Sequence, residues 1–136
     1  MVKGILADAN AVGHVEHLAK LMQVEAWAEF WEDLGLVLHH FEDVGLVATS
    51  TDLAIWQKCQ SEQLILITDN RNDDAPVSLT AAIREYGKQD SLPVFTIADL
   101  DRFRASRDYA DRVAVTAYDY LLRIDTLRGS GRLFLP

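Results

Sequence analysis

The chain has 136 residues, one cysteine, and 13 basic against 21 acidic side chains, a formal net charge of −8. A lone Cys59 excludes a disulfide framework and a cysteine-based zinc site, and it implies a reducing, cytosolic setting. The acidic balance argues against indiscriminate electrostatic binding of nucleic acid, which needs a basic footprint, so any such contact has to be local or metal-mediated.

A composition of 49% hydrophobic and 25% charged residues is that of a globular chain, and the length predicts one domain over residues 1–136. Apolar runs such as Leu64 to Ile67 fall far short of the ~20 residues that span a bilayer, which predicts no membrane association. The Val2 to Ala7 stretch is too short for a secretory h-region and runs straight into Asp8.

Val2, Ile5, Leu6 and Ala7 predict a short strand ending at Asp8-Ala9-Asn10. Val15, Leu18, Ala19, Met22 and Ala26 follow at helical spacing, continued by Trp27, Phe30, Trp31 and Leu34, with Gly35 as the closing residue. Leu36 to Phe41 reads as a second strand. Thr49-Ser50-Thr51-Asp52 fits a capped helix start, with Leu53, Trp56 and Cys59 on the apolar face behind it.

Leu64-Ile65-Leu66-Ile67-Thr68 is an unbroken apolar run of the kind buried on both faces of a parallel sheet. The polar cluster Asp69 to Asp74 ends it, and Pro76 opens a helix carrying Leu79, Ala82, Ile83 and Tyr86. Val94 to Ile97 is a fourth strand, meeting Asp99 and Asp101. A long helix with Ala110, Val113, Ala114, Ala117, Leu121 and Ile124 then leads through Gly129-Ser130-Gly131 to Leu133-Phe134-Leu135.

Strands separated by helices predict right-handed crossovers and a three-layer α/β/α sandwich around a mainly parallel, Rossmann-like sheet of four to five strands. Ligand sites of such sheets lie beyond the carboxyl ends of the strands. Those exits carry Asp8 and Asn10, then Asp69, Asn70, Asn72 and Asp73, then Asp99. Asp52 heads the helix into the third strand, a capping position expected at the amino-end edge unless the loop from Asp43 to Thr51 reaches back over the sheet. Converging carboxylates repel one another unless a cation lies between them, and a hard divalent ion such as Mg²⁺ or Mn²⁺ is the usual resolution.

Each acid also has a structural reading. Asp8 and Asn10 can form an Asx turn, Asp52 can open its helix, and Asp74 and Asp99 can cap theirs. What those local roles leave unexplained is the coincidence of acids at three exits. The four histidines lack a third ligand at useful spacing and read as surface or half-buried residues, and Cys59 reads as an inert core thiol. Dinucleotide, P-loop and esterase motifs are absent from the sequence. Arg71, Arg102, Arg104, Arg107 and Arg112 fall on the carboxyl side, where they can supply a positive patch near the acids.

The ordered set Leu6-Ala7-Asp8-Ala9-Asn10, Asp43-Val44-Gly45-Leu46, Ser50-Thr51-Asp52 and Leu64 to Thr68 resembles the PIN-like nuclease domains, particularly small bacterial ones related to toxins of toxin–antitoxin systems. The likeness covers roughly residues 4 to 100. In strict register the two aspartates the family carries after the strand threonine fall on Asn70 and Asn72, with Asp69 and Asp73 flanking them.

The resemblance implies a cytoplasmic, Mg²⁺- or Mn²⁺-dependent ribonuclease. Asp8, Asp52, Asp69 and Asp73 would be its catalytic carboxylates, and Asn70 and Asn72 would join them around the metal. RNA would be the substrate and an antitoxin-like protein a partner. The amides at 70 and 72 bring no charge, which leaves an alternative: a catalytically degenerate PIN-like module that pairs with itself or with a small protein through its aromatic first helices. A third class, a phosphohydrolase on the same kind of sheet, would want a carboxylate where Asn10 stands and a basic residue after a later strand.

Overall fold

The computed structural model describes residues 1–69 and 78–136. Among these residues the five strands are β1 (Gly4–Ala7), β2 (Leu38–His39), β3 (Leu64–Thr68), β4 (Val94–Ile97) and β5 (Arg132–Leu135). They form one sheet in the order β2-β1-β3-β4-β5, with every neighbouring pair parallel. The helices are α1 (Val12–Leu21), α2 (Ala28–Asp33), α3 (Asp52–Glu62), α4 (Leu79–Tyr86), α5 (Leu100–Ala105), α6 (Arg107–Leu122) and α7 (Ile124–Leu127). The architecture is the predicted α/β/α sandwich. Among the described residues no helix is long and apolar enough to cross a membrane.

Strand alternation sorts the core into two layers. Ile5, Ala7, Ile65, Ile67, Phe95 and Ile97 face α1, α2, α5 and α6, where Val15, Leu18, Phe103, Val113 and Ala117 cover them. Leu6, Leu64, Leu66 and Val94 face the other way, onto Ile55, Trp56 and Cys59 of α3 and Leu79 of α4. Both faces are therefore dry, which is why the strands read as continuous apolar runs rather than as alternating ones.

Three features differ from the sequence reading. The helix predicted from Val15 to Leu34 is broken after Leu21, and Ala26 is exposed. The Tyr118 hydroxyl, from α6, donates to the carbonyls of Met22 and Trp27 (3.3 Å to the latter), while its ring stacks on Trp27 at 5.3 Å. The break thus exposes backbone acceptors to a buried donor on another helix.

The second strand shrinks from Leu36–Phe41 to two residues, because Phe41–Val44 winds into a 3₁₀ turn. The crossovers are also not all of one hand. From β3 to β4 the chain passes over the α3/α4 face. From β4 to β5 it steps in the same direction across the sheet but passes over the face of α1. The last connection therefore has the opposite hand to the one before it, and α6 fills the layer that α1 and α2 leave incomplete.

Candidate functional site

The connections leaving β1 and β3 depart onto opposite faces, α1 on one and α4 on the other. Where adjacent strands of an open parallel sheet diverge in this way, the ligand crevice is expected at their carboxyl ends. Asp8 leaves β1 and Asp69 leaves β3, and the two strands stay zipped to the edge, with the Asp8 N–H donating to the Ile67 carbonyl at 3.1 Å.

Asp8 is 5% exposed, an uncommon position for a carboxylate. Its Oδ1 accepts the Asn10 backbone N–H at 3.2 Å, the expected Asx turn, and caps a short 3₁₀ turn over Ala9–Ala11. Its Oδ2 accepts the Thr68 hydroxyl at 2.5 Å. Burial pushes the Asp8 carboxyl above its usual range, the Thr68 and Asn10 hydrogen bonds pull it back, and the charges of Asp52 and Asp69 push it up again. The local Asx role and the nearness of two further carboxylates therefore coexist at Asp8.

Asp52 lies in the first turn of α3, behind the Thr51 cap whose hydroxyl accepts the Ala54 N–H at 3.1 Å. Thr51 and Leu53 line one cavity with Ser78, the cap of α4, so Asp52 stands at the carboxyl edge, the position expected if the loop from Asp43 to Thr51 reaches back over the sheet. A crossover helix runs antiparallel to its strands and so begins at the edge where the preceding strand ended. Asp99 keeps only its capping role: it accepts the Arg102 N–H at 3.0 Å and is exposed. Asn10 is also exposed, and its contact with Asp8 is made through the backbone. Asn70, Asn72 and Asp73, together with Arg71 and Asp74, lie outside the described residues.

Thr96 and Arg132 were not singled out in the sequence reading. Thr68 and Thr96 are register partners on β3 and β4, both fully buried. Arg132 on β5 reaches across to the Thr96 hydroxyl at 3.2 Å and to the Thr80 hydroxyl, on α4, at 3.1 Å. Asp8, Thr68, Thr96 and Arg132 thus form a polar row under α4, running from a carboxylate to a guanidinium. The available signal is a single polar residue in an otherwise apolar strand, Thr68 in Leu64 to Thr68 and Thr96 in Val94 to Ile97, where burial on both faces demands a partner.

The described donors are hard oxygens, and a buried Asp8 pushed up by the charges of Asp52 and Asp69 is chemistry that suits a hard cation. Among the described residues no three His, Cys, Asp or Glu side chains are arranged to hold one ion directly. A set of one or two carboxylates is what a hydrated Mg²⁺ or Mn²⁺ would need, with water completing its shell. Cavities of about 370 and 440 Å³ around Trp56 and Lys88 lie at the opposite edge and contain no cluster of acids, while one of about 380 Å³ lies beside Ala9, lined by His40, Phe41, Glu42 and Leu46.

No family model, curated protein or solved structure matches this chain.

Proposed function

We propose that the chain is a PIN-like ribonuclease that hydrolyses phosphodiester bonds with Mg²⁺ or Mn²⁺. The observation that carries this reading is the divergence of the chain after β1 and β3, where a buried carboxylate, Asp8, feels the charges of Asp52 and Asp69. Asp8 is the central ligand in this reading. Asp52 and one of Asp69 or Asp73 complete the anionic set, and Asn10, Asn70 and Asn72 orient ligands or water.

The ion, when bound, supplies Lewis acidity toward the phosphate and makes water a stronger acid. The chain's own residues prepare the crevice for it. Thr68 and the Asn10 amide each take one lone pair of Asp8, which fixes the plane of the carboxylate and leaves each oxygen a second lone pair. The strands place the carboxylates before any ligand arrives, so little is lost to reorganisation. A toxin role with an antitoxin-like protein partner in the cytoplasm accompanies the reading.

Asp8→Asn tests it. The variant is expected to abolish Mn²⁺-dependent cleavage of a single-stranded RNA and to lose the rise in melting temperature that Mn²⁺ gives the parent. Cleavage at the parental rate by this variant would sink the assignment.

The second reading is a non-catalytic module that pairs with itself or with a small protein. It is favoured by Phe30, 41% exposed beside Trp27 and Tyr118, with Val24 also exposed nearby in sequence. Titration calorimetry separates the two: no Mn²⁺ binding at millimolar concentration supports the module.

A further inference from the structure

The stretch from Asp99 to Arg112 carries four arginines and four aspartates, a neutral segment in a chain of net charge −8. The four acids all have local roles. Asp99 caps α5, Asp111 holds Arg107 at 2.9 Å, and Asp101 and Asp108 sit in the first turns of α5 and α6, where the helix dipole favours negative charge.

Two of the arginines are placed differently. Arg102 and Arg112 are exposed, and each lies over the ring of the buried Tyr109, at 4.5 and 5.8 Å from its centroid. Among the described residues neither makes an ion pair. A guanidinium stacked on an aromatic ring loses rotamer freedom in advance and keeps its N–H donors for an incoming anion.

The fold sets where this pair stands. Asp99 lies just past β4, and Ala98 between them stays tied to β5, its N–H donating to the Leu135 carbonyl at 3.1 Å. The Tyr109 hydroxyl donates to the carbonyl of Pro136, just past the end of β5. Arg102 and Arg112 therefore lie beyond the carboxyl ends of β4 and β5, at the same edge as Asp8 beyond β1. The helix carrying Arg102 touches α1 through Phe103, whose ring meets those of His14 and His17 at 6.3 and 5.2 Å. From β1 to β5 is three strand intervals, about 14 Å, a span of a few nucleotides.

We infer that Arg102 and Arg112, braced on Tyr109, bind backbone phosphates of a single-stranded RNA lying across the carboxyl edge from the β1/β3 crevice toward β5. The inference rests on the ribonuclease reading and adds to it the path of the substrate. An acidic protein segment is the competing occupant, and the spacing to the carboxylate crevice favours RNA, since only a substrate has reason to reach both.

The test uses the full chain and a fluorescein-labelled single-stranded 12-mer RNA, with Ca²⁺ in place of Mn²⁺, and reads fluorescence anisotropy across a salt series. Arg102→Ala/Arg112→Ala is expected to weaken binding about tenfold near 0.1 M salt and to make the log–log salt slope shallower by about 1.4, two contacts at about 0.7 each. Lys20→Ala/Arg84→Ala removes the same charge from exposed positions in the last turns of α1 and α4 and is expected to leave both values unchanged. In Mn²⁺ cleavage assays the Arg102/Arg112 variant should raise KM and spare kcat.

Equal affinity and slope in the parent and the Arg102/Arg112 variant overturn the inference, and so does absence of RNA binding by the parent. Tighter, Arg102/Arg112-dependent binding of an oligoglutamate 12-mer overturns it in favour of a protein partner. Loss of arginine-dependent binding with intact parental cleavage leaves the ribonuclease reading standing. Arginine-dependent binding without any cleavage sinks that reading instead.

Discussion

Asp8 holds two hydrogen bonds and two unfavourable neighbours, and their balance governs how the fold responds to pH. Its carboxyl is raised in the folded chain above the ordinary 3.8, with burial as the largest cause. Below pH 3.8 both the folded and unfolded chains keep this proton, and Asp8 carries no penalty. As pH rises from 3.8 through the raised value, the unfolded chain ionises first, so the folded state binds more protons and stability falls. Above the raised value the penalty is constant. In EDTA, the stability of the parent relative to Asp8→Asn should therefore decline across that window, with the variant's altered hydrogen bonding adding a constant offset. A difference that grows with pH would contradict the burial of an ionisable Asp8. Asp8 was legible in the sequence because a strand running into Asp-x-Asn is a local pattern. Thr96 and Arg132 were not, because their significance lies in which strands become neighbours.

At the scale of elements, two glycines invite substitutions of opposite sign. Gly4 in β1 lies where a Cβ would meet the Val37 carbonyl, the acceptor of the Ile5 N–H at 2.9 Å. Gly4→Ala should drive that carbonyl away, loosen the two-residue β2, and cost about 1–3 kcal/mol, the usual range for overpacking. Gly13, near the start of α1, has open space around the position of a Cβ, so Gly13→Ala should stabilise by about 0.5–1 kcal/mol. Urea or thermal melts of the two variants check the contrast, and a neutral Gly4→Ala would mean that β2 pairing contributes little. The edge formed by β5 is protected differently: Tyr120 donates to the Phe134 carbonyl at 3.0 Å and Tyr109 to that of Pro136, which blunts a strand otherwise open to pairing with another chain.

For the whole molecule, Cys59 reports on the layer between the sheet and α3. It is buried, and burial, with a further contribution from the charge of Asp8, pushes its thiol up to about 12. Because the thiolate is the reactive form, labelling by a disulfide reagent at pH 8 should be at least about a thousandfold slower in the native chain than in urea, limited by opening of the fold. Fast stoichiometric labelling under native conditions would show that the α3/α4 layer is loosely packed.

The sequence by itself determined the class of sheet and the chain positions of four strands, since long β-branched and leucine runs bounded by polar clusters have few other uses. It also placed Asp8 and Asp69 at strand ends and a capped helix start within Thr49 to Asp52, and the cap at Asp99 is written in neighbouring residues. Only the tertiary structure decided that the first helical stretch breaks at Met22, that the last crossover takes the opposite hand, that Asp52 begins its helix beside Asp8, and that Arg102 and Arg112 share one buried tyrosine. Each of these depends on contacts between residues far apart in the chain, such as Tyr118 with Met22, and such contacts exist only after the sheet order brings their elements together.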